Sequence, residues 1–396
     1  MKISKMLLMF AMAIAMVNCS KTDELMDTTG DVSSMESIAN EAKNYIVVLK
    51  SDVLKSQALT NVSFEEKKSL VRNLAQETLQ DNGIGSDEIS QVYGKVLNGF
   101  VAKMTTLQAK ELELDARVEY VEEDQLITLS DAGAPAGDVT VKAVAAQTVP
   151  WGITRVGGGI SSTGVAWIID TGIDLDHPDL NVDTNHSAVF ITGRNVTPDD
   201  QNGHGSHVAG IVAAIDNGSG VIGVAAGATV ISVRVLDRRG SGYVSWIVAG
   251  IDYVAANGTA GDVANMSLGG GISTTLDDAV YNASFTGIRF VLAAGNESMD
   301  ANNTSPARVN GTYIYTISAM DSNDIFAYFS NYGSPVDYCA PGVSIYSTYK
   351  NASYATLSGT SMAAPHVAGL LLLGSLQTDG YVSNDPDGNP DPIAHH

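Results

Sequence analysis

"GVAWIIDTGIDLDHPDL", Gly164–Leu180, contains six residues, Val165–Asp170, that are apolar almost without a break and end on a carboxylate. A half-exposed strand would alternate apolar and polar residues, so an unbroken run stopping at an acidic turn reads as a strand buried on both faces. Similar runs follow: "TVISVRVL" from Thr229, "DVANMSL" from Asp262, "IRFVLAAG" from Ile288 and "YIYTISAM" from Tyr313. Helical patterns stand between them, among them "HVAGIVAAI" from His207 and "VSWIVAGIDYVAANG" from Val244. Buried strands alternating with helices make an α/β fold, a parallel sheet with helices on both faces. In such a sheet the reactive groups gather where strands end, and Asp170 stands at such an end.

Upstream, "KNYIVVLK" from Lys43 has strand character, and helical patterns at about 64–80 and 106–114 alternate with the strand-like "QVYGKVLNGFVAKM" and "RVEYVEEDQLITL". This β-α-β-β-α-β order predicts a small ferredoxin-like α+β domain over 44–130. Residues 131–145, "DAGAPAGDVTVKAVA", are small and unpatterned, a cleavable linker. The α/β domain is expected over 146–378, with 379–396 left as a C-terminal tail.

The chain opens with two lysines, a 12-residue apolar run from Met6 to Val17, and Cys19. That run is too short for a permanent membrane span and fits the core of a secretory signal over 1–19, followed by a polar linker over 20–43. Export is expected, as a secreted protein or as an outer-surface or periplasmic bacterial lipoprotein. The position of Cys19 resembles the acylated cysteine of such lipoproteins, although Met16, Val17 and Asn18 depart from the usual lead-in. The other cysteine, Cys339, reads as a small buried residue. The formal charge is −22, and from Ala146 onward 22 acidic residues face eight Lys and Arg. Nucleic-acid binding is disfavoured by that balance.

Three residue types at element ends supply a complete chemistry. Asp170 ends a strand, His204 opens a helix in "NGHGSHVAG", and Ser361 opens another in "GTSMAAPHVAG". A serine hydroxyl is a weak nucleophile until an imidazole takes its proton, and the imidazole needs a carboxylate to fix its tautomer. Asn296, in "VLAAGNES", offers an amide donor for a developing oxyanion. Each residue alone has an ordinary structural reading as cap, turn residue or core histidine.

Together "IIDTGIDLDHPDL", "NGHGSHVAG", "NMSLGG", "AAGN" and "GTSMAAPHVAG" resemble the subtilisin-like serine proteases, in the chain order Asp, His, Ser. True-subtilisin and proteinase K-like features are both present. The resemblance implies Asp170, His204 and Ser361 as triad and Asn296 as oxyanion donor with the Ser361 amide. It also implies that "YVEEDQLITL" ends a subtilase propeptide, which chaperones folding and then occupies the cleft as an inhibitor. "RRGSGYVS" from Arg238 and "SLGG" from Ser267 resemble the two segments that clasp an extended substrate. Gly240, Ser241 and Gly242 would form one side, and Ser267, Leu268, Gly269, Ala293 and Gly295 the other, with an apolar primary pocket lacking an acidic wall.

A structural calcium is implied at Gln147, Asp179, Asn217 and the carbonyls of Ser219 and Val221. A second is implied at Asp337 with the carbonyls of Thr312 and Ile314. No catalytic cofactor is implied. The expectation is a monomeric, self-processing serine endopeptidase of broad apolar or aromatic preference. Its first self-cleavage falls within 129–135, with trimming toward Ala146. A catalytically silent surface-binding relative and a serine esterase are the alternatives, and the intact triad and inhibitory propeptide weigh against them.

Overall fold

A computed structural model describes residues 41–55, 62–129, 146–374 and 376–396; the signal peptide, Cys19, most of the first linker and the junction 131–145 lie outside them. No helix among the described residues is long and apolar enough to cross a membrane.

The first domain runs β1 (Ala42–Leu49), α1 (Phe64–Asp81), β2 (Ile89–Tyr93), β3 (Gly99–Thr105), α2 (Thr106–Leu112) and β4 (Val118–Glu123). Its antiparallel sheet has the order β2-β3-β1-β4, which is the expected ferredoxin-like arrangement. Both helices start at capping boxes, Ser63 with Glu66 and Thr105 with Gln108, each satisfying otherwise orphaned N–H groups. Alternation along β1 sends Tyr45, Val47 and Leu49 into the domain's own core, with Val71, Leu79 and Phe100. Ile46 and Val48 face the other way, into an apolar cluster shared with the second domain.

The second domain is built on β6 (Val165–Asp170), β7 (Thr229–Arg234), β9 (Val263–Met266), β10 (Arg289–Ala293), β11 (Ile314–Met320) and β12 (Tyr338–Pro341). These pair in parallel in the order β12-β11-β10-β9-β6-β7. The period of two decides the layers. Ala166 and Ile168 of β6 pack toward α3 (His204–Ala213) and α6 (Thr360–Leu372). Trp167 and Ile169 pack toward α4 (Val244–Asn257) and α5 (Thr274–Ser284). Cys339 is fully buried in β12.

Residues 379–396, set apart in the sequence as a tail, are part of the sheet. Beyond the hairpin β13 (Ile345–Tyr349) and β14 (Ser353–Leu357), the strands β15 (Gln377–Tyr381) and β16 (Pro392–His395) extend its edge, with β16 parallel to β12. Ile393 and Ala394 are buried, and Arg155 bridges Asp324 and Asp379 across this edge. A polar, exposed strand, QTDGY, and a four-residue one, PIAH, carry no strand period to read.

Candidate active site

Asp170 is fully buried at the end of β6, and His204 is the first residue of α3. His204 Nδ1 lies 2.8 and 3.0 Å from the two Asp170 carboxylate oxygens. A carboxylate can only accept, so the proton sits on Nδ1 and Nε2 is the basic nitrogen. The pair is locked from behind. Thr171 N–H donates to Asp170 Oδ1 (2.7 Å), and Thr171 Oγ1 donates to the buried Asp200 while accepting from Gly205 N–H. Asp200 also accepts from the N–H groups of Gly203 and Ser206 and from the Ser206 hydroxyl. A Cβ on Gly205 would run into the Gly172 carbonyl, so only glycine lets the helix start so close to the strand end. Sequence reasoning missed Asp200, because "PDDQNG" reads as an ordinary polar loop.

Ser361 is the second residue of α6, and its Oγ lies 3.2 Å from the Ser267 carbonyl. Pro365 sits four residues further on and brings no N–H to the Ser361 carbonyl. That carbonyl instead accepts from Ser267 Oγ at 2.8 Å, which in turn accepts from Asn265. Asn296 follows β10, and its Oδ1 accepts from both the N–H (2.9 Å) and the hydroxyl (3.0 Å) of Thr360. Those two bonds orient the amide. The Asn296 amide and the Ser361 nitrogen both border Gly359, lying 3.5 to 3.6 Å from the point where a Cβ there would stand.

A pocket of about 370 Å³ opens beside Ser361, lined among others by Ser267, Leu268, Gly269, Ala293, Gly295 and Ala307. The sequence-based picture of walls without an acidic residue is corrected here: Glu297 lines this pocket. The fully buried Asn331 donates to Glu297 Oε2 (2.8 Å) and accepts from the N–H groups of Glu297 and Met299. Glu297 lies one residue past "AAGN", and nothing in its local pattern shows that the loop turns it into the wall.

The first domain reaches this cleft. Its strand β5 (Leu126–Thr128) pairs antiparallel with β8 (Ser241–Tyr243), matching Ile127 to Gly242 and Thr128 to Ser241. Leu129 N–H continues the ladder to the Gly240 carbonyl at 2.9 Å. Ile127 is buried against Gly270 on the opposite wall. Four carboxylates fasten the domains together, one of them Asp278, which accepts from the Tyr120 hydroxyl at 2.8 Å. Asp124 accepts from Ser245 N–H and hydroxyl at the start of α4, and Glu122 does the same for Thr275 at the start of α5. In the other direction Asp252 of α4 accepts from the N–H groups of Gly94, Lys95 and Val96.

The other buried histidines are structural. His207 lies 3.0 and 3.1 Å from the carbonyls of Ile345 and Ala355, and burial pushes its pKa down to about 3. Burial likewise holds His366 at about 4.

The residues read as a first calcium set come together. Asp179 accepts from Asn217 Nδ2 and Val221 N–H, and Gln147 Nε2 donates to the carbonyls of Ile215 and Val221. The Ser219 hydroxyl and N–H donate to Asn217 Oδ1. One carboxylate, two side-chain amides and backbone carbonyls make an oxygen-rich donor set that fits a hard cation once the amides turn their oxygens inward. Asp337 accepts from Thr316 N–H, a bond that ties β12 to β11, and burial raises its pKa.

With this geometry in place the comparisons are direct. Residues 164–378 match the subtilase family and residues 44–130 match the peptidase inhibitor I9 family. The chain belongs to the subtilases: it is a subtilisin-like serine protease preceded by an inhibitor-type propeptide domain. It is 39% identical over 355 residues to an alkaline serine exoprotease A of Vibrio alginolyticus, covering 86% of this chain but only 62% of that protein, so the chain spans less than two thirds of that relative. It is 37% identical to an extracellular serine proteinase of Thermus sp., covering 88% of this chain and 82% of that one. Among solved structures, a cold-adapted subtilisin-like serine proteinase aligns at a TM-score of 0.53 and 37% identity, over 62% of this chain and 97% of that one.

Proposed function

We propose that the chain is an exported, self-processing serine endopeptidase with Ser361 as nucleophile, His204 as general base, Asp170 as its orienter, and Asn296 and the Ser361 N–H as oxyanion donors. His204 Nε2 takes the hydroxyl proton as Ser361 Oγ bonds the substrate carbonyl carbon. The oxyanion is held by the two donors, and the imidazolium returns the proton to the leaving amine as the C–N bond breaks. Water then repeats the sequence on the acyl-enzyme.

The observation that carries this reading is the course of Leu126–Leu129, hydrogen-bonded along Gly240–Tyr243 as an extended peptide substrate would be. An esterase has no need of a strand-long groove, and a silent binding protein has no need of an inhibitor held in it. The register supports a first self-cleavage just beyond Leu129, with later trimming toward Ala146. The pocket walls of Leu268, Ala293 and Ala307 support apolar or aromatic residues before the cut bond, with Glu297 admitting a polar or cationic tip.

The donor set at Gln147, Asp179, Asn217, Ser219 and Val221 supports a structural calcium that stabilises without entering the chemistry. Export as a secreted protein or a Cys19 lipoprotein, and a monomeric state, complete the reading. Substituting Ser361→Ala should abolish peptide hydrolysis and leave the precursor uncut in a protease-free preparation. Maturation of that variant would overturn self-processing. Chelation should lower the melting temperature of wild type but not of Asp179→Ala, and an equal response in both would remove the calcium site.

A further inference from the structure

The stretch "NMSL", Asn265–Leu268, puts an amide where the sheet is otherwise apolar. Asn265 stands in β9 beside Ile168 of β6 and Val291 of β10, and both neighbours belong to the apolar layer packed against α6. It is fully buried, and its Oδ1 has no hydrogen-bond partner among the described residues. A buried amide oxygen left unpaired costs stability, so packing alone gives no reason for an asparagine here.

The reason lies at the other end of the amide. Asn265 Nδ2 donates to Ser267 Oγ (2.8 Å), and Ser267 Oγ donates to the Ser361 carbonyl (2.8 Å). A carbonyl oxygen only accepts, so the Ser267 proton points at Ser361 and the hydroxyl oxygen is left to accept from Asn265. In an α-helix the Ser361 carbonyl would accept from the N–H four residues on, but that residue is Pro365, which has none. Ser267, just past the end of β9, supplies the missing donor. Ser361 Oγ lies 3.2 Å from the Ser267 carbonyl, so each serine directs its hydroxyl at the other's carbonyl.

The two bonds have different fates during the reaction. When Ser361 Oγ turns to His204 and gives up its proton, its own bond to Ser267 is lost. The bond from Ser267 to the Ser361 carbonyl remains. It therefore holds the backbone from which both the attacking Oγ and the oxyanion-donating N–H project, and small misplacements of such groups slow the chemical step.

We propose that Asn265 and Ser267 are positioning residues for the nucleophile: Asn265 orients the Ser267 hydroxyl, and that hydroxyl fixes the Ser361 backbone in place of the N–H that Pro365 lacks. This assignment deepens the protease reading and rests on Ser361 as nucleophile.

The test uses the mature enzyme and its Ser267→Ala and Asn265→Leu variants. Steady-state kinetics on one peptide is read beside the rate of inactivation by phenylmethanesulfonyl fluoride, a small reagent that reports attack by Ser361 without an extended substrate. Each variant should lower kcat roughly fivefold, the effect of one hydrogen bond, with KM little changed and inactivation slowed by a similar factor. Asn265→Leu removes an unpaired polar atom, so its melting temperature should hold or rise while kcat falls. A melting temperature that falls with kcat would mark a structural role instead and overturn the assignment. Pro365→Ala supplies an N–H to the same carbonyl, and in that background Ser267→Ala should cost less than about twofold in kcat. If Ser267→Ala costs the same factor with and without Pro365→Ala, or if neither single variant differs from wild type, the positioning role is overturned while the protease reading stands. If the unsubstituted enzyme neither cuts the peptide nor reacts with the sulfonyl fluoride, the protease reading itself fails.

Discussion

Thr360 orients the Asn296 amide, the proposed oxyanion donor, with two bonds, and its hydroxyl also accepts from Gly295 N–H at 3.1 Å. Thr360→Val keeps the shape and the backbone bond but removes the hydroxyl, so Asn296 loses half its anchorage and a buried N–H loses its acceptor. The expected outcome is a kcat lower by roughly fivefold with KM little changed, since one hydrogen bond of this kind contributes about 1 kcal/mol. Asn296→Ala should cost more, roughly 10² to 10³ in kcat, the magnitude known for this donor in subtilisin. Steady-state kinetics on one peptide checks both, and a Thr360→Val variant altered only in KM would remove the threonine from the oxyanion site. In the sequence Thr360 has only the reading of a helix cap, because its true partner lies 64 residues away.

At the scale of elements, the inhibitor domain is held by carboxylates on both sides of the boundary as well as by the strand in the cleft. Asp252 gathers three N–H groups of the loop Gly94–Val96, and Tyr93 donates to the Ser245 carbonyl close by. Hydrogen bonds to a charged acceptor are the strong ones, and losing it leaves buried donors unpaired. Asp252→Ala should therefore raise the inhibition constant of the released propeptide at least roughly tenfold, with peptide hydrolysis itself unaffected. Equal inhibition of variant and wild type would show that the cleft strand alone sets the affinity. None of Asp124, Glu122 or Asp252 announces this role in its local sequence: each sits in a strand end or helix and meets its partner only across the domain boundary.

For the whole molecule, the edge formed by β15 and β16 closes the sheet and carries a titrating group. Asp391 is buried, accepts from the Ser318 hydroxyl at 2.6 Å, and has its pKa pushed up to about 7, first by burial and then by Asp385 and Asp387. The folded state thus holds this proton more tightly than the unfolded chain, so the stability it contributes is present at acid pH and is lost as pH rises through about 7. Asp391→Asn keeps an acceptor for Ser318 without the charge. In a Ser361→Ala background, which prevents self-digestion, it should melt a few degrees higher than its parent at pH 8, about 2–4 °C for each 1 kcal/mol. The difference should shrink steadily below pH 7 and close by about pH 4, the ordinary carboxyl range. A variant that melts lower at pH 8 would contradict the assignment.

The sequence by itself determined the family, the class of enzyme and the layer architecture. Asp170, His204, Asn296 and Ser361 each stand within two residues of a glycine near an element end, and unbroken apolar runs stopping at turn residues read as strands covered on both faces. These are local signals, written in period and in residue type within a few positions. The tertiary structure alone decided which long-range partners support them. Asp200 braces the Asp170–His204 pair through Thr171, Thr360 orients the Asn296 amide, Asn331 holds Glu297 in the pocket beside Ser361, and residues 379–396 join the sheet edge rather than forming a tail. Each of these depends on a carboxylate, amide or strand edge finding its complement tens of residues away. A hydrogen bond's geometry is set by where the fold brings its two ends, and neither end carries a mark of the other in the residues around it.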